Sequence, residues 1–439
     1  MRCVIVGNGA AGVTAAETLR QQDDGAEIVV ISAESYPMYS RPGLAYVILN
    51  EVPFKQIQCR TPGWYATQRI QLIFGRAVRL TPAAHTLQLD SGQTISYDRL
   101  LIATGARAVP PPYPGADLPG VVYLDTYDGV QELLHRARRA RRAVVIGGGI
   151  TALEMAEGLA HQHVETHYFL RRDRLWERVF NTSESHILEQ RLREHGVQVH
   201  FNTEIQTILA NRRGQVGAVK LADGKEFACD LLGVGIGVIP QLELIQDAGI
   251  ATDRAILVNE YLETNQPHIF AAGDCAQVYD RWTRRHTSDV LWPSAVAQGR
   301  FAAWNMLDQR QPYIKSTPFN ACLLFGLHIT AIGQVNPQGE KGATAAVEHI
   351  LSRGSSEVWF TFPRNYQSAW SEEGANTIRL TLDDRRLVGA LIIGDQSLAD
   401  PLRTLIEQEA DLTPIWPYVN KDYATLKHHL GQWWRESRS

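Results

Sequence analysis

A chain of 439 residues, 44% hydrophobic and 21% charged, is too long for one hydrophobic core and too apolar for disorder, so two or three folded domains are predicted. The formal net charge of -4 gives no general attraction to a phosphate backbone, and with no nucleic-acid motif present, nucleic acid is excluded as a partner. The five cysteines (Cys3, Cys59, Cys229, Cys275, Cys322) are scattered and odd in number, which excludes a disulfide framework and a metal ribbon; no metal is expected, and a reducing compartment is.

In chain order, Arg2 to Val6 is a β-branched run ending in GNGAAG. An Ala-rich helical stretch to Gln22 and an apolar run from Ile28 to Ile31 follow, which makes a βαβ start. The chain enters this strand pattern at once, without the pattern of a signal peptide, and no apolar run reaches the roughly 18 residues of a membrane span. A cytoplasmic protein is expected. Leu100 to Gly105 (LLIATG) reads as strand and turn, and VPPPYPG from Val109 to Gly115 cannot be helix and suits a crossover.

The βαβ order then recurs: strand Ala143 to Ile146, turn GGGITA, helix Leu153 to His161, strand Val164 to Leu170. LLGVGIGVIP ends at Pro240, and IFAAGD at Ile269 to Asp274 should return the chain to the first domain. From about Thr317 the pattern becomes strand-like over Cys322 to Gly333, Val358 to Phe362, Thr377 to Leu382 and Leu387 to Ile393, with a polar helical tail. The fold class is therefore α/β, with two Rossmann-like dinucleotide-binding domains and a C-terminal α+β domain. The expected boundaries are 1–115 with 242–316 for the first domain, 116–241 for the second and 317–439 for the third.

In a G-x-G-x-x-G turn the first glycine permits the bend and the second lets the backbone approach a pyrophosphate. The third lets helix and strand pack closely, and the helix N-terminus favours the negative charge. Gly7, Gly9 and Gly12 fit this, with Ala10 and Ala11 between them; Gly147, Gly149 and Ala152 make a second copy that includes Ile150.

These turns, together with YSRPGLAY, LLIATGA, GGGITALEMA, VGIGVIP, IFAAGD and SAVAQGR in that order, resemble the FAD-dependent pyridine nucleotide oxidoreductases over roughly residues 1 to 335. That family includes ferredoxin and rubredoxin reductases, the flavin modules of nitrite reductases and the disulfide reductases. The resemblance implies FAD on Gly7, Gly9, Ala10, Ala11 and Gly12, with Glu34 (or Ser32) on the adenosine ribose. It implies Arg41 and Pro42 beside the isoalloxazine, and Thr104, Gly105, Gly273 and Asp274 at the flavin and ribityl chain. Ala295 and Gln298 would lie on a helix whose N-terminus faces the flavin pyrimidine edge. NAD(P)H would sit on Gly147, Gly149, Ile150, Ala152 and Gly237, with Glu154 positional rather than catalytic.

An NADH enzyme would carry an acid where this chain has Leu170, and Arg171, Arg172 and Arg174 follow, which favours NADPH over NADH. The departures from the family are as informative. A redox cysteine of the disulfide-type members is replaced by Pro42, and no Cys pair is present, so disulfide chemistry is not expected. Electrons would pass to a separate small carrier such as ferredoxin or rubredoxin. Alternatives are a quinone or oxygen oxidoreductase and a redox interaction flavoprotein like apoptosis-inducing factor. A homodimer stays open, and the cluster Arg136, Arg138, Arg139, Arg141 and Arg142 reads as a solvated face or a carrier dock. Trp433 and Trp434 are expected to pack on the protein rather than lie on a membrane.

Overall fold

The computed structural model describes residues 1–335, 351, 353–357 and 366–436, and divides the chain into two compact units. The first comprises Met1–Ala108 and Val238–Lys315, joined by a short return that includes Leu351; the second comprises Val109–Gly237 and the remainder of the chain from Ser316.

The first unit is built on a parallel sheet in the order Ile269–Ala271, Arg99–Ile102, Arg2–Val6, Glu27–Ser32, Ile70–Phe74. Its central strands are almost uninterrupted apolar runs because both faces are covered: Val4, Ile5, Val29, Leu100 and Leu101 are fully buried. Val4 pairs with Val29 on one side and Leu100 on the other, which sets the register. The IFAAGD strand does return here, Ile269 pairing with Leu100. The helices Ala10–Gln22 and Trp292–Met306 pack closely on one another, and where they come nearest a Cβ on Gly299 would fall 2.2 Å from the Ala11 carbonyl oxygen.

The second unit holds a parallel sheet in the order Gln198–His200, Glu165–Phe169, Arg142–Ile146, Leu231–Val234, Val121–Val122. It repeats the glycine-turn arrangement, with the helix Ile150–His161 following the strand Arg142–Ile146. Its C-terminal part is an antiparallel sheet in the order Phe319–Leu324, Leu327–Gly333, Arg386–Ile393, Asn376–Asp383, Tyr366–Glu373. Leu402 and Leu405 of the helix Ala399–Glu407 and Leu426 and Leu430 of the helix Tyr423–Glu436 close the core on this sheet, and Trp433 and Trp434 pack against the same cluster. Among the described residues no helix is long and apolar enough to cross a membrane.

One expected strand is two. Cys322 to Gly333 turns back at Phe325 (φ 51) and Gly326 (φ 74), a pair of left-handed residues that closes a tight hairpin. Phe325 is costly in that conformation, and its backbone N–H is held by donating to Glu157 Oε1 at 2.7 Å. The segment Val358 to Phe362, also expected as strand, lies outside the described residues.

Candidate functional site

The first glycine turn follows the strand Arg2–Val6. Gly7 has φ +126, and a Cβ there would sit 2.0 Å from the Ala103 carbonyl oxygen, so only glycine passes between the two strand ends. Gly9 differs: its backbone is extended (φ -94), and a Cβ on it would meet nothing within 4 Å. Gly9 is the N-cap of the helix Ala10–Gln22, which has no side-chain cap and no acid in its first turn. Its first N–H groups therefore remain as donors toward room that a diphosphate fills, and the helix dipole favours that charge.

Around this turn the structure gathers the other residues expected on the flavin side. A Cβ on Gly273 (φ +81) would lie 3.1 Å from Ala11 Cβ and 3.9 Å from Ala295 Cβ, so the three meet, with Asp274 next in the chain. The Gly273 N–H donates to Gln298 Oε1 at 2.8 Å, while the buried Gln298 Nε2 has no protein acceptor. The helix carrying Ala295 and Gln298, Trp292–Met306, also lacks a side-chain cap and a first-turn acid. Thr104 is fixed reciprocally: its Oγ1 donates to the Gln241 carbonyl and Gln241 Nε2 to the Thr104 carbonyl, both at 2.8 Å. A bare helix N-terminus, open room at Gly9 and an orphaned buried amide fit a dinucleotide with a polar ring system, as FAD is.

At the end of the strand Glu27–Ser32, the Ser32 hydroxyl is spent on the Glu34 carbonyl at 2.7 Å. The Glu34 carboxylate accepts from Tyr39 Oη at 2.5 Å and forms an ion pair with Arg41. Arg41, expected from the sequence beside the isoalloxazine, thus has its guanidinium on the residue expected at the ribose, while Pro42 is exposed.

The second turn is built alike. Gly147 (φ +131) leaves 2.1 Å between a built Cβ and the Gly235 carbonyl oxygen, and a Cβ on Gly148 would meet nothing within 4 Å. Gly149 is the N-cap of Ile150–His161, again without side-chain cap or first-turn acid. Ala152 stands where a third glycine is usual, and the room for its methyl comes from Gly235, whose added Cβ would lie 2.8 Å from that of Ala152. Glu154 stands farther along this helix, and Gly237 (φ +121) accepts from the Val109 N–H at 3.0 Å.

Beyond the strand Glu165–Phe169, Leu170 is buried and offers no acid. Arg171 lies 4.0 Å from Glu204 and Arg172 3.3 Å from Glu177, with side chains 64% and 48% exposed. Exposed pairs of this kind contribute about 0–1 kcal/mol, so both guanidiniums can exchange their carboxylates for a phosphate.

No thiol is poised to react. All five cysteines are free, and burial pushes Cys3 up to about 11, Cys229 up to about 12, and Cys59, Cys275 and Cys322 above the usual thiol value. Among the described residues no group of three or more His, Cys, Asp or Glu side chains is arranged to hold a metal.

Two clusters carried no sequence signal. Lys315 is buried and donates to Asp280 at 3.0 Å, Asp289 at 2.8 Å and Thr287 Oγ1 at 2.7 Å. Burial pulls its amine down, but the two carboxylates outweigh that and hold its pKa above the ordinary lysine value. Asp289 also accepts from Ser294 Oγ at 3.1 Å, which ties the cluster to the first turn of the helix Trp292–Met306. In the second unit Arg379 and Glu184 form a buried ion pair at 2.7 Å; only the Asn181…Glu184 capping box was open to sequence reading.

The sequence profile of the family described as pyridine nucleotide-disulphide oxidoreductase matches residues 1–299. Nitrite reductase [NAD(P)H] of Bacillus subtilis is 27% identical over 413 residues, 93% of this chain and 48% of the relative. The chain thus spans about half the length of that relative and, at 43%, less of the assimilatory nitrate reductase electron transfer subunit of the same organism. Putidaredoxin reductase of Pseudomonas putida is 34% identical over 311 residues, 68% of this chain and 72% of that one. A solved ferredoxin reductase from Rhodopseudomonas palustris superposes with TM-score 0.83 at 26% identity, over 94% of this chain and 96% of that one.

Proposed function

Since the chain belongs to the pyridine nucleotide-disulphide oxidoreductase family, we propose that it is an FAD-dependent NAD(P)H oxidoreductase whose electrons leave singly to a separate small iron-sulfur carrier. The observation that carries this reading is the pair of glycine turns, each opening with free room onto a helix whose N-terminus has no side-chain cap. The two cofactors, when bound, supply hydride transfer and its division into single electrons. The chain binds and orients. Gly9 and the first N–H groups of Ala10–Gln22 receive the FAD diphosphate, Glu34 with Arg41 meets the adenosine ribose end, and Gly273, Asp274, Ala295 and Gln298 hold the ring side. Gly147, Gly149 and the first turn of Ile150–His161 receive the nicotinamide nucleotide, and Arg171 and Arg172 take a 2'-phosphate.

Support for a carrier as acceptor comes from the resemblance to reductases named for rhodocoxin, putidaredoxin and ferredoxin, and from five thiols that all sit above the usual value. Those free thiols also suit a reducing compartment such as the cytoplasm. Anaerobic stopped-flow reduction by NADPH and by NADH, followed by mixing with ferredoxin, rubredoxin and a soluble quinone, tests the reading. Fast reduction by NADPH and rapid transfer to an iron-sulfur carrier are expected. Reoxidation by quinone or oxygen alone would replace the carrier with those acceptors, as the relatives named NADH oxidase suggest.

A further inference from the structure

The loop that carries Arg171, Arg172 and Arg174 is anchored at both ends, and by different parts of the second unit. At its start, the Leu170 N–H donates to the His200 carbonyl at 2.9 Å and the Asn202 N–H to the Arg172 carbonyl at 3.2 Å. At its other end stands a residue from far along the chain. Arg379, on the C-terminal strand Asn376–Asp383, donates through Nη2 to the Val179 carbonyl at 2.6 Å and through Nε to Glu184 Oε1 at 2.7 Å. Its Nη2 also reaches Glu184 Oε2 at 3.2 Å, and Nη1 donates to the Val335 carbonyl.

Glu184 is fully buried, and its Oε2 accepts the Asn181 N–H at 2.7 Å, completing the cap of the helix Thr182–Glu194. One guanidinium thus joins the Val179 carbonyl ahead of the helix, the helix cap and the C-terminal sheet. Within the loop the Leu175 N–H donates to Ser185 Oγ at 2.8 Å, the Val179 and Phe180 N–H groups turn back onto the Trp176 carbonyl, and Arg172 pairs with Glu177 at 3.3 Å.

We infer that Arg379 is a positioning residue for recognition of the 2'-phosphate of the nicotinamide nucleotide: by fixing Val179 and Glu184 it sets where the Arg171 and Arg172 guanidiniums can meet that phosphate. This rests on the NADPH reading above. Stability alone does not explain the arrangement, because a buried ion pair is commonly matched by apolar residues of similar volume. A planar group with donors in several directions is needed to bind two carbonyls and a carboxylate at once, and lysine offers a single nitrogen. The C-terminal sheet therefore takes part in choosing the nucleotide without touching it.

The test uses the FAD-loaded protein as wild type, Arg379→Lys and Glu184→Gln, the second keeping a side chain able to cap. Steady-state constants with NADPH and NADH are combined with titration of adenosine 2',5'-bisphosphate and of AMP. Each variant is expected to raise KM for NADPH and weaken the bisphosphate by about tenfold, while kcat, KM for NADH and AMP binding stay within about twofold. Hydrogen exchange over residues 171–181 should quicken while that over 150–161 does not. If KM rises equally for both nucleotides, or the NADPH preference survives in both variants, the inference is overturned and the NADPH reading stands. If the wild type itself binds the bisphosphate no better than AMP, the NADPH reading falls and the inference with it.

Discussion

The guanidinium of Arg41 closes on the carboxylate of Glu34, the residue at the end of the strand Glu27–Ser32, while Tyr39 donates to the other carboxylate oxygen. The stretch from Glu34 to Arg41 is thereby folded into one polar unit beside the first glycine turn. Replacing Glu34 with Gln removes the ion pair and weakens the acceptor offered to a ribose. FAD affinity should fall about tenfold, read by flavin release on dilution, and Arg41→Ala should give a similar loss rather than an additive one in the double variant.

Gly9 and Gly149, the N-caps of the two helices, both have an extended backbone that any residue can adopt, and a Cβ on Gly9 would meet nothing within 4 Å. Gly9→Val should therefore leave a folded protein that no longer holds FAD. Gly149→Val should keep its yellow colour and lose reduction by NADPH. Gly7→Ala is different, because its Cβ would meet the Ala103 carbonyl oxygen at 2.0 Å, and it should fail to fold. Absorbance at the flavin band and circular dichroism together separate the three outcomes.

Lys315 neutralises two carboxylates in a place closed to water. Lys315→Met leaves Asp280 and Asp289 buried and uncompensated, which should cost about 3–5 kcal/mol. The triple variant Lys315→Met, Asp280→Asn, Asp289→Asn should recover most of it. Thermal unfolding measures both; a Lys315→Met protein as stable as wild type would show the cluster to be neutral.

Asp395 is held well below the ordinary carboxylate value, at about 2 against 3.8, first by its ion pair with Lys427 and next by the Ser397 N–H. A depressed folded pKa adds stability above 3.8 that is lost as pH falls through about 2. Lys427→Met should lose that contribution, so acid unfolding of the C-terminal sheet should begin at higher pH, with the difference vanishing at the acid limit. Near-UV circular dichroism over that range checks it.

The central strands of both parallel sheets and both glycine turns were legible in the sequence because each rests on neighbouring residues: an apolar run, then small residues at fixed spacing, then a helix; the outer strands Ile70–Phe74, Gln198–His200 and Val121–Val122 were not read. The choice between Ser32 and Glu34 was not, since it depends on where the Ser32 hydroxyl bonds. The break at Phe325 was also hidden, because phenylalanine seldom takes a left-handed conformation and the bond from Glu157 that holds it comes from a distant helix. Arg379 and Glu184 are 195 residues apart, and Lys315 and Asp280 are 35 apart with the helix Trp292–Met306 between them. Polar partners brought together by tertiary folding leave no periodicity to read. Ala152 takes the place of the usual third glycine, and its accommodation by Gly235 is a property of the chain just past the neighbouring strand Leu231–Val234 rather than of the turn.

The edge strand Ile269–Ala271 belongs to the sheet begun by Arg2–Val6, and the helix Trp292–Met306 packs on the helix that follows that strand, yet all of Val109–Gly237 is made before either of them. On the ribosome the first glycine turn emerges early and must wait. Its helix has no Gly299 to pack on, and Gly273 and Gln298 do not yet exist, until the chain has grown past Met306. With the flavin held as proposed, its capture would be a late event in synthesis, and a chain stalled in the interval would be colourless and would expose one unpaired edge of a parallel sheet to its neighbours.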